Sequence, residues 1–558
     1  MFRIHFRLAP KSVRTFSQPV PLRPVTFTED AIFRQKSLWW LLRALFVLRV
    51  CRIEYLSKNS VMLMKRAESI VGPFLAYNTV VKATVFSHFC AGEDERELKY
   101  TVRALEQQGI GSVLDYAAEA DAEGFAPAPG QEVAPDLSMA SLVENTSVTY
   151  FPHERLYDEN MKLYVMCVMH ASLNQPVNGV GLAAVKVTGM CDPQLLARVS
   201  AILHSVHLNW VQYFACEQAP PIEECRVVMG AQEKHQRYLT WDQVRRGFTT
   251  LGSECIYTEE EVNAVIKALD PTNEGRVDYY TFKKVVTQAV LAVDPTPLQK
   301  LITAKLPLLT DEERELWRAL QNRLSVIVRT AKDLHVRVLF DAEQTFYQLA
   351  IDSIVLQFQR QFNVEEPIVY GTYQCYLTYA EDRIFNDLTR AEQEGWVWGG
   401  KIVRGAYMHQ ERQTASKYRY TSPVWPTYED TNKCYQACAA RILKEFVRQP
   451  NKPFEVLFGT HNKTSIEEIS TSVLNLPPVK GVAVFAQLYG MADHLTIPLK
   501  NAGFRVFKYV PYGPVKETIH YLGRRAMENA SILTGGGTEE VQLMKKELRR
   551  RVFWFTKS

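Results

Sequence analysis

At 558 residues the chain is long enough for one large domain with additional modules. Apolar residues make up 47% and charged residues 23%, and a formal net charge of +4 with both signs interspersed gives no reason to expect nucleic acid as a partner. Ten cysteines without a CxxC pair or a Cys/His cluster of zinc spacing argue against a zinc module and a secreted disulfide scaffold, and Cys434 and Cys438, on one helical face, read as packing.

The first 28 residues carry Arg3, Arg7, Lys11, Arg14 and Arg23 among Ser and Thr, with no acid before Glu29, the composition of a mitochondrial transit peptide. From Ser37 to Val50 the chain is apolar, but Arg43 and Arg49 break the run well short of the roughly 20 residues a spanning helix needs. It reads as a packed or interfacial helix. From Val61 to Leu105 the apolar spacing stays helical, and residues 115–150, rich in Ala, Glu, Gly and Pro, read as a flexible surface segment.

Short β-rich runs, each followed by a helical stretch, fall at Ser112–Tyr116, Leu182–Val187, Val336–Asp341, Pro367–Tyr373, Lys401–Gly405, Phe454–Gly459, Val482–Gln487 and Arg505–Val510. Apolar on both faces, they suggest the parallel strands of an α/β fold, a distorted (β/α)8 TIM-like barrel. An open doubly wound sheet is the alternative, against which stands the lack of a GxGxxG after an early strand.

The second and third runs lie too far apart for a simple connection, so a module is inserted between them. Within it, Asp270 to Phe282 has the frame of an EF-hand loop, with Asp first, Gly275 sixth and Asp278 ninth. Thr281 stands where a bidentate Glu belongs and Thr272 at the third place, so the loop is poor in ligands and calcium binding is doubtful. No metal is expected, Asp270 and Asp278 being the only weak candidates. The chain then divides into 1–28 (transit peptide), 29–108 (N-terminal helical arm), 109–190 (first part of the barrel), 191–310 (inserted EF-hand-like module), 311–535 (rest of the barrel with its last helix) and 536–558 (basic amphipathic tail).

In a barrel of this kind catalytic groups stand at the C-terminal ends of strands. There the chain places Lys186, Asp341, Gln374, Lys401 with Arg404, Thr460-His461-Asn462, Gln487 and Tyr509. Polar groups ending apolar runs are poor core material, because each costs a few kcal/mol if buried unpaired. Lys401 and Arg404 beside Gly405 and Ala406 suit an anionic ring ligand that backbone can approach closely; a salt-bridged structural pair is the alternative. A final helical stretch from Tyr521 to Asn529 presents Arg524 and Arg525, either as a grip on a small anion or as a solvated pair beside Glu528.

Six motifs in order, Asp341-Ala342-Glu343-Gln344-Thr345, Tyr373-Gln374-Cys375-Tyr376, Val403-Arg404-Gly405-Ala406-Tyr407, Thr460-His461-Asn462, Gln487-Leu488-Tyr489-Gly490-Met491 and Tyr521 to Asn529, closely resemble the proline dehydrogenase family in its eukaryotic mitochondrial form. The resemblance implies an FAD-bearing barrel that oxidises L-proline to Δ1-pyrroline-5-carboxylate by hydride transfer to flavin N5, with electrons passing to membrane quinone. It implies Arg524, Arg525 and Lys186 as a clamp on the proline carboxylate, and Tyr509 and Tyr521 as walls around the ring. It places Asp341 and Lys401 at the reacting centre, Lys401 where bacterial relatives have an arginine. Ala342, Gln374, Arg404, Gly405, Ala406, Thr460 and His461 match positions that contact FAD. The matrix side of the inner mitochondrial membrane is the implied location, and the basic, then aromatic, stretch from Met544 to Phe555 would suit peripheral attachment there. A hydroxyproline dehydrogenase shares the whole constellation, but Tyr509 would crowd carbon 4 of its substrate. A calcium-responsive scaffold with a catalytically dead barrel is a reading of another class, opposed by the presence of Lys186, Asp341, Arg524 and Arg525.

Overall fold

The computed structural model describes residues 21–27, 32–117 (except 54, 57, 58 and 73), 153–173, 179–209, 238–251, 258–292, 296, 299, 308–535 and 538–555. Among the described residues ten strands form, in chain order: β1 (Gly111–Tyr116), β2 (Gly181–Val185), β3 (Tyr238–Thr240), β4 (Arg276–Asp278), β5 (Val336–Phe340), β6 (Val369–Gln374), β7 (Gly399–Val403), β8 (Glu455–Gly459), β9 (Val482–Leu488) and β10 (Val506–Tyr512). Eight of them, all but β3 and β4, close into a parallel barrel in which β1 pairs with both β2 and β10. Each apolar run read from the sequence supplies one of these strands, displaced by no more than a few residues.

Alternation along each strand sorts side chains into two layers. On β5, Val338 and Phe340 face the surrounding helices, whereas Leu339 joins an interior cluster with Val113, Leu182, Ala184, Leu457, Val484 and Phe507. At the N-terminal end of the barrel the Arg337 guanidinium donates to both oxygens of Glu455, at 3.0 and 2.8 Å, and reaches Glu366 at 3.0 Å. This plugs the bottom, and removing either partner of such a buried pair costs about 3–5 kcal/mol. The opposite end carries the polar residues described below.

Among the helices, α1 (Leu38–Cys51) starts at Ser37, whose side chain accepts from the Trp40 amide at 3.1 Å. No described helix is long and apolar enough to cross a membrane. The stretch expected to be helical from Val61 to Leu105 is interrupted twice: Gly72 at φ +80° ends its first helix, Ser60–Val71, and residues 90–94 separate Ser87–Phe89 from Glu95–Gln107. α2 (Pro193–Asn209) packs on the helix Thr345–Phe362, and the Ala350 amide donates to Ser200 Oγ at 3.0 Å. Residues 191–209 thus lie with the barrel, ahead of the insertion. Asp115, Tyr116 and Ala117, expected to open a flexible surface segment, are instead buried strand and strand end, because Asp115 and Tyr116 pair with Pro511 and Tyr512 of β10. Residues 118–150 and the first 20 residues lie outside those described.

Within the insertion α3 (Trp241–Leu251), α4 (Glu259–Leu269) and α5 (Tyr279–Val290) surround the antiparallel pair β3–β4, in which Leu239 faces Val277. Asp270 accepts from the amides of Glu274 and Gly275 and from Trp241 Nε1 at 2.9–3.0 Å. Asp278 caps α5 by accepting from the amides of Tyr280 and Thr281. Both carboxylates thus serve the loop's own donors, and no group of three or more His, Cys, Asp or Glu among the described residues could hold a metal ion. The fold closes with α6 (Tyr428–Arg448), α7 (Ile519–Gly535) and α8 (Thr538–Phe555).

Candidate active site

Parity on the strands decides which polar groups meet. Asp115, Lys186 and Asp341 stand two residues beyond the interior side chains Val113, Ala184 and Leu339, so all three turn inward at the C-terminal end of the barrel. Lys186 Nζ donates to Asp115 Oδ1 at 2.8 Å and lies 4.0 Å from Asp341 Oδ2. Lys401, in the middle of β7 and buried, reaches up to donate to the other Asp341 oxygen. The Tyr509 hydroxyl donates to Asp341 Oδ2 at 2.7 Å, and Lys401 Nζ sits 5.4 Å from the Tyr509 ring centre. One ring of side chains from β1, β2, β5, β7 and β10 results.

The electrostatics follow from that ring. Burial alone would raise the Asp341 carboxyl, but the Lys401 and Lys186 charges and the hydrogen bonds from Lys401 and Tyr509 outweigh it and hold the group below the usual carboxylate range. Tyr509 moves the opposite way: burial, then the Asp115 and Asp341 charges, push its hydroxyl far up, so it stays a donor.

Arg404 follows β7 and is held without a carboxylate. Its guanidinium donates to Asn432 Oδ1 at 3.0 and 2.8 Å, to Ser465 Oγ at 3.0 Å and to Thr460 Oγ1, and lies 4.5 Å from the Tyr435 ring centre. Neutral oxygens fix its position and leave its charge uncancelled. The salt-bridged alternative therefore holds for Lys401 and fails for Arg404. Gly405 adopts φ +117°, and a Cβ there would stand 1.8 Å from Tyr376 Cε1. Gln374 donates to the Glu343 carbonyl at 2.7 Å, and Gln487 accepts from Thr496 at 2.8 Å. Ala342 is half-buried and Ala406 exposed on the same rim.

His461 Nε2 accepts from the Leu488 amide at 3.0 Å, which places its proton on Nδ1. Burial, then the Lys508 and Arg525 charges, hold this imidazole neutral, its pKa pushed down to about 3. The Arg525 charge thus reaches the end of β8. On α7 the Arg525 guanidinium is buried, 4.9 Å from the Tyr521 ring centre, and pairs with Glu528 at 2.7 Å. The Glu528 partnership is as read from the sequence, but Arg525 itself is buried. Arg525 Nε and the Tyr521 hydroxyl are buried without a hydrogen-bond partner. Arg524 is half-buried beside them.

Sequence reasoning singled out neither Asp115, as a site residue, nor Asn432 and Ser465. Asp115 obeys the rule that found Asp341, a carboxylate closing an apolar strand, and could have been read the same way. Asn432 and Ser465 sit on helices, where nothing in their spacing marks them.

A cation-rich end of a barrel is common to many chemistries. The family model described as Proline dehydrogenase matches residues 230–534. Proline dehydrogenase 1, mitochondrial, of Homo sapiens is 30% identical over 96% of this chain and 90% of its own length.

The chain belongs to the proline dehydrogenase family.

Hydroxyproline dehydrogenase of Xenopus laevis is 26% identical, over 95% of this chain and 91% of its own. Among solved structures, proline utilization A (PutA) from Bdellovibrio bacteriovorus superimposes with a TM-score of 0.50 at 15% identity, covering 93% of this chain and 40% of that larger one, a likeness of fold. The family's barrel is the one described above.

Proposed function

We propose that this member of the proline dehydrogenase family oxidises L-proline to Δ1-pyrroline-5-carboxylate with FAD as cofactor and passes the electrons to a membrane quinone, on the matrix side of the inner mitochondrial membrane. Family membership makes the chain an oxidoreductase of proline. The mitochondrial assignment follows the mitochondrial relatives and the basic, acid-free first 28 residues.

The residues present fit FAD. Arg404, held by neutral oxygens, keeps a full charge for an anionic group, and Gly405 lets backbone approach where a Cβ would not fit. Gln374, Ala342, Ala406, Thr460 and His461 line the same rim and are proposed to complete the FAD-binding surface. When bound, the flavin accepts the hydride that leaves carbon 5 of proline.

The protein's own contribution is orientation. Lys186 is paired with Asp115, Lys401 with Asp341 and Arg525 with Glu528, so the cations proposed to receive the carboxylate of proline are already held in place by carboxylates of the protein. The observation that carries the reading is Arg525, buried over Tyr521 with an unpartnered Nε. Arg525 and Arg524 bind the carboxylate, with Lys186 as the third cation; Tyr521 and Tyr509 confine the ring. Fixing a small substrate in this way supplies most of the catalytic advantage, several kcal/mol in well-oriented systems. Asp341, held ionised, and Lys401 are proposed to act at the reacting centre.

Proline is favoured over trans-4-hydroxyproline because the Tyr509 hydroxyl is tied to Asp341 and cannot swing aside without breaking that bond. Turnover of the purified protein on both substrates tests the assignment: proline is expected to be preferred, and preference for hydroxyproline would overturn it.

A further inference from the structure

Eleven of the twenty-two exposed large hydrophobic side chains among the described residues fall between Leu38 and Val80. Chance scatter of single apolar residues is normal on a protein surface; concentration of this kind marks an interaction site. The densest part is α1. At about 100° per residue, Leu38, Trp39, Leu42, Phe46 and Arg49 fall within an arc of about 100°, and all five are exposed, Trp39 by 67% and Phe46 by 56%.

The opposite face of the same helix is fully occupied. Leu41, Ala44 and Leu48 pack with Met544 of α8, and Val47 and Cys51 share a cluster with Ile519, Tyr521, Leu522 and Ala526 of α7. A helix apolar on both sides but packed on only one needs a second apolar environment. Beside it, α8 exposes Lys545, Lys546 and Arg549. Arg551 ties that helix to the start of the arm by donating to the carbonyls of Phe33 and Arg34 at 3.2 and 3.0 Å. An apolar stripe bordered by cations is complementary to an anionic lipid surface, where acyl chains take the stripe and headgroups the charges.

We propose that α1 lies in the plane of an anionic membrane surface, with Leu38, Trp39, Leu42 and Phe46 among the acyl chains and Lys545, Lys546 and Arg549 at the headgroups. The residues that seat α1 from beneath belong to α7, the helix that carries Arg524 and Arg525. Lipid contact and the substrate-gripping helix are therefore two faces of one packed layer. Delivery of electrons into that membrane rests on the quinone acceptor proposed above; the docking surface does not.

The test uses the full-length chain with vesicles of phosphatidylcholine, with and without phosphatidylserine. The wild type floats with the anionic vesicles. The W39S/L42S/F46S variant loses vesicle binding by about tenfold or more, and the K545Q/K546Q/R549Q variant binds only at low salt. Both retain proline turnover with a soluble dye within about twofold, which shows that they fold. Failure of the wild type to float, flotation of the apolar variant like the wild type, or a wild-type dimer that this variant dissolves without any vesicle binding would each overturn the proposal. Flotation without reduction of quinone placed in the vesicles would leave the docking surface standing and remove the quinone acceptor.

Discussion

The Tyr509 hydroxyl donates to Asp341 Oδ2 at 2.7 Å, joining the last strand of the barrel to the end of β5. This bond sets the shape of the ring wall and the charge of the carboxylate together. Tyr509→Phe removes a donor that stabilises the ionised form, so the Asp341 pKa rises and the acidic limb of the kcat/KM profile moves to higher pH. The expected loss in kcat/KM is about tenfold, the equivalent of one charge-assisted hydrogen bond. Tyr509→Ser opens room near carbon 4 and is expected to raise the ratio of hydroxyproline to proline turnover.

Arg525 is buried against the Tyr521 ring, with Glu528 as its carboxylate partner. Arg525→Met is expected to raise KM for proline about 100-fold with a smaller effect on kcat, near 3 kcal/mol in all. Arg525→Lys is expected to recover little, since an ammonium lacks the planar fork. Steady-state kinetics on both variants checks this.

Gly405 leaves no room for a side chain, its missing Cβ lying 1.8 Å from Tyr376. Arg404→Met is expected to yield folded protein with most of its flavin lost, and Gly405→Ala, whose Cβ would push Tyr376 aside, is expected to lose flavin together with stability. Flavin absorbance per chain, with circular dichroism to check folding, measures the effect.

His461 is held neutral, its pKa down to about 3 against 6.5 for an exposed imidazole. A depressed folded-state value means that its contribution to stability is complete above pH 6.5 and is lost as pH falls toward 3. At about 1.4 kcal/mol per unit, the wild type should lose about 2 kcal/mol between pH 7 and pH 5 from this group. His461→Gln, which keeps an acceptor for the Leu488 amide, should flatten that difference in urea unfolding at the two pH values.

Much of this was written in the sequence. Parallel strands buried on both faces are continuous apolar runs, so all eight were visible, and polar residues closing those runs gave Lys186 and Asp341; Lys401, read as part of a strand end, stands in the middle of β7. Pairing and parity were not visible: nothing local says that Lys186 meets Asp115, or that Asp115 belongs to a strand rather than to the loop after it. The neutral cradle of Arg404 comes from two helices far along the chain, where Asn432 and Ser465 look like ordinary helical residues. The two faces of α1 were hidden for a different reason. An apolar helix looks the same in sequence whether one side or both are packed; only the positions of α7 and α8 separate them.

Anaerobic mixing of the purified, flavin-bearing protein with L-proline tests the central claim most directly. Rapid bleaching of the visible flavin band in the wild type, with the same colour but bleaching about 100-fold slower at matched, sub-saturating proline in Arg525→Met, is the predicted result. A yellow protein that proline leaves unreduced, or an Arg525→Met variant that bleaches like the wild type, would contradict it.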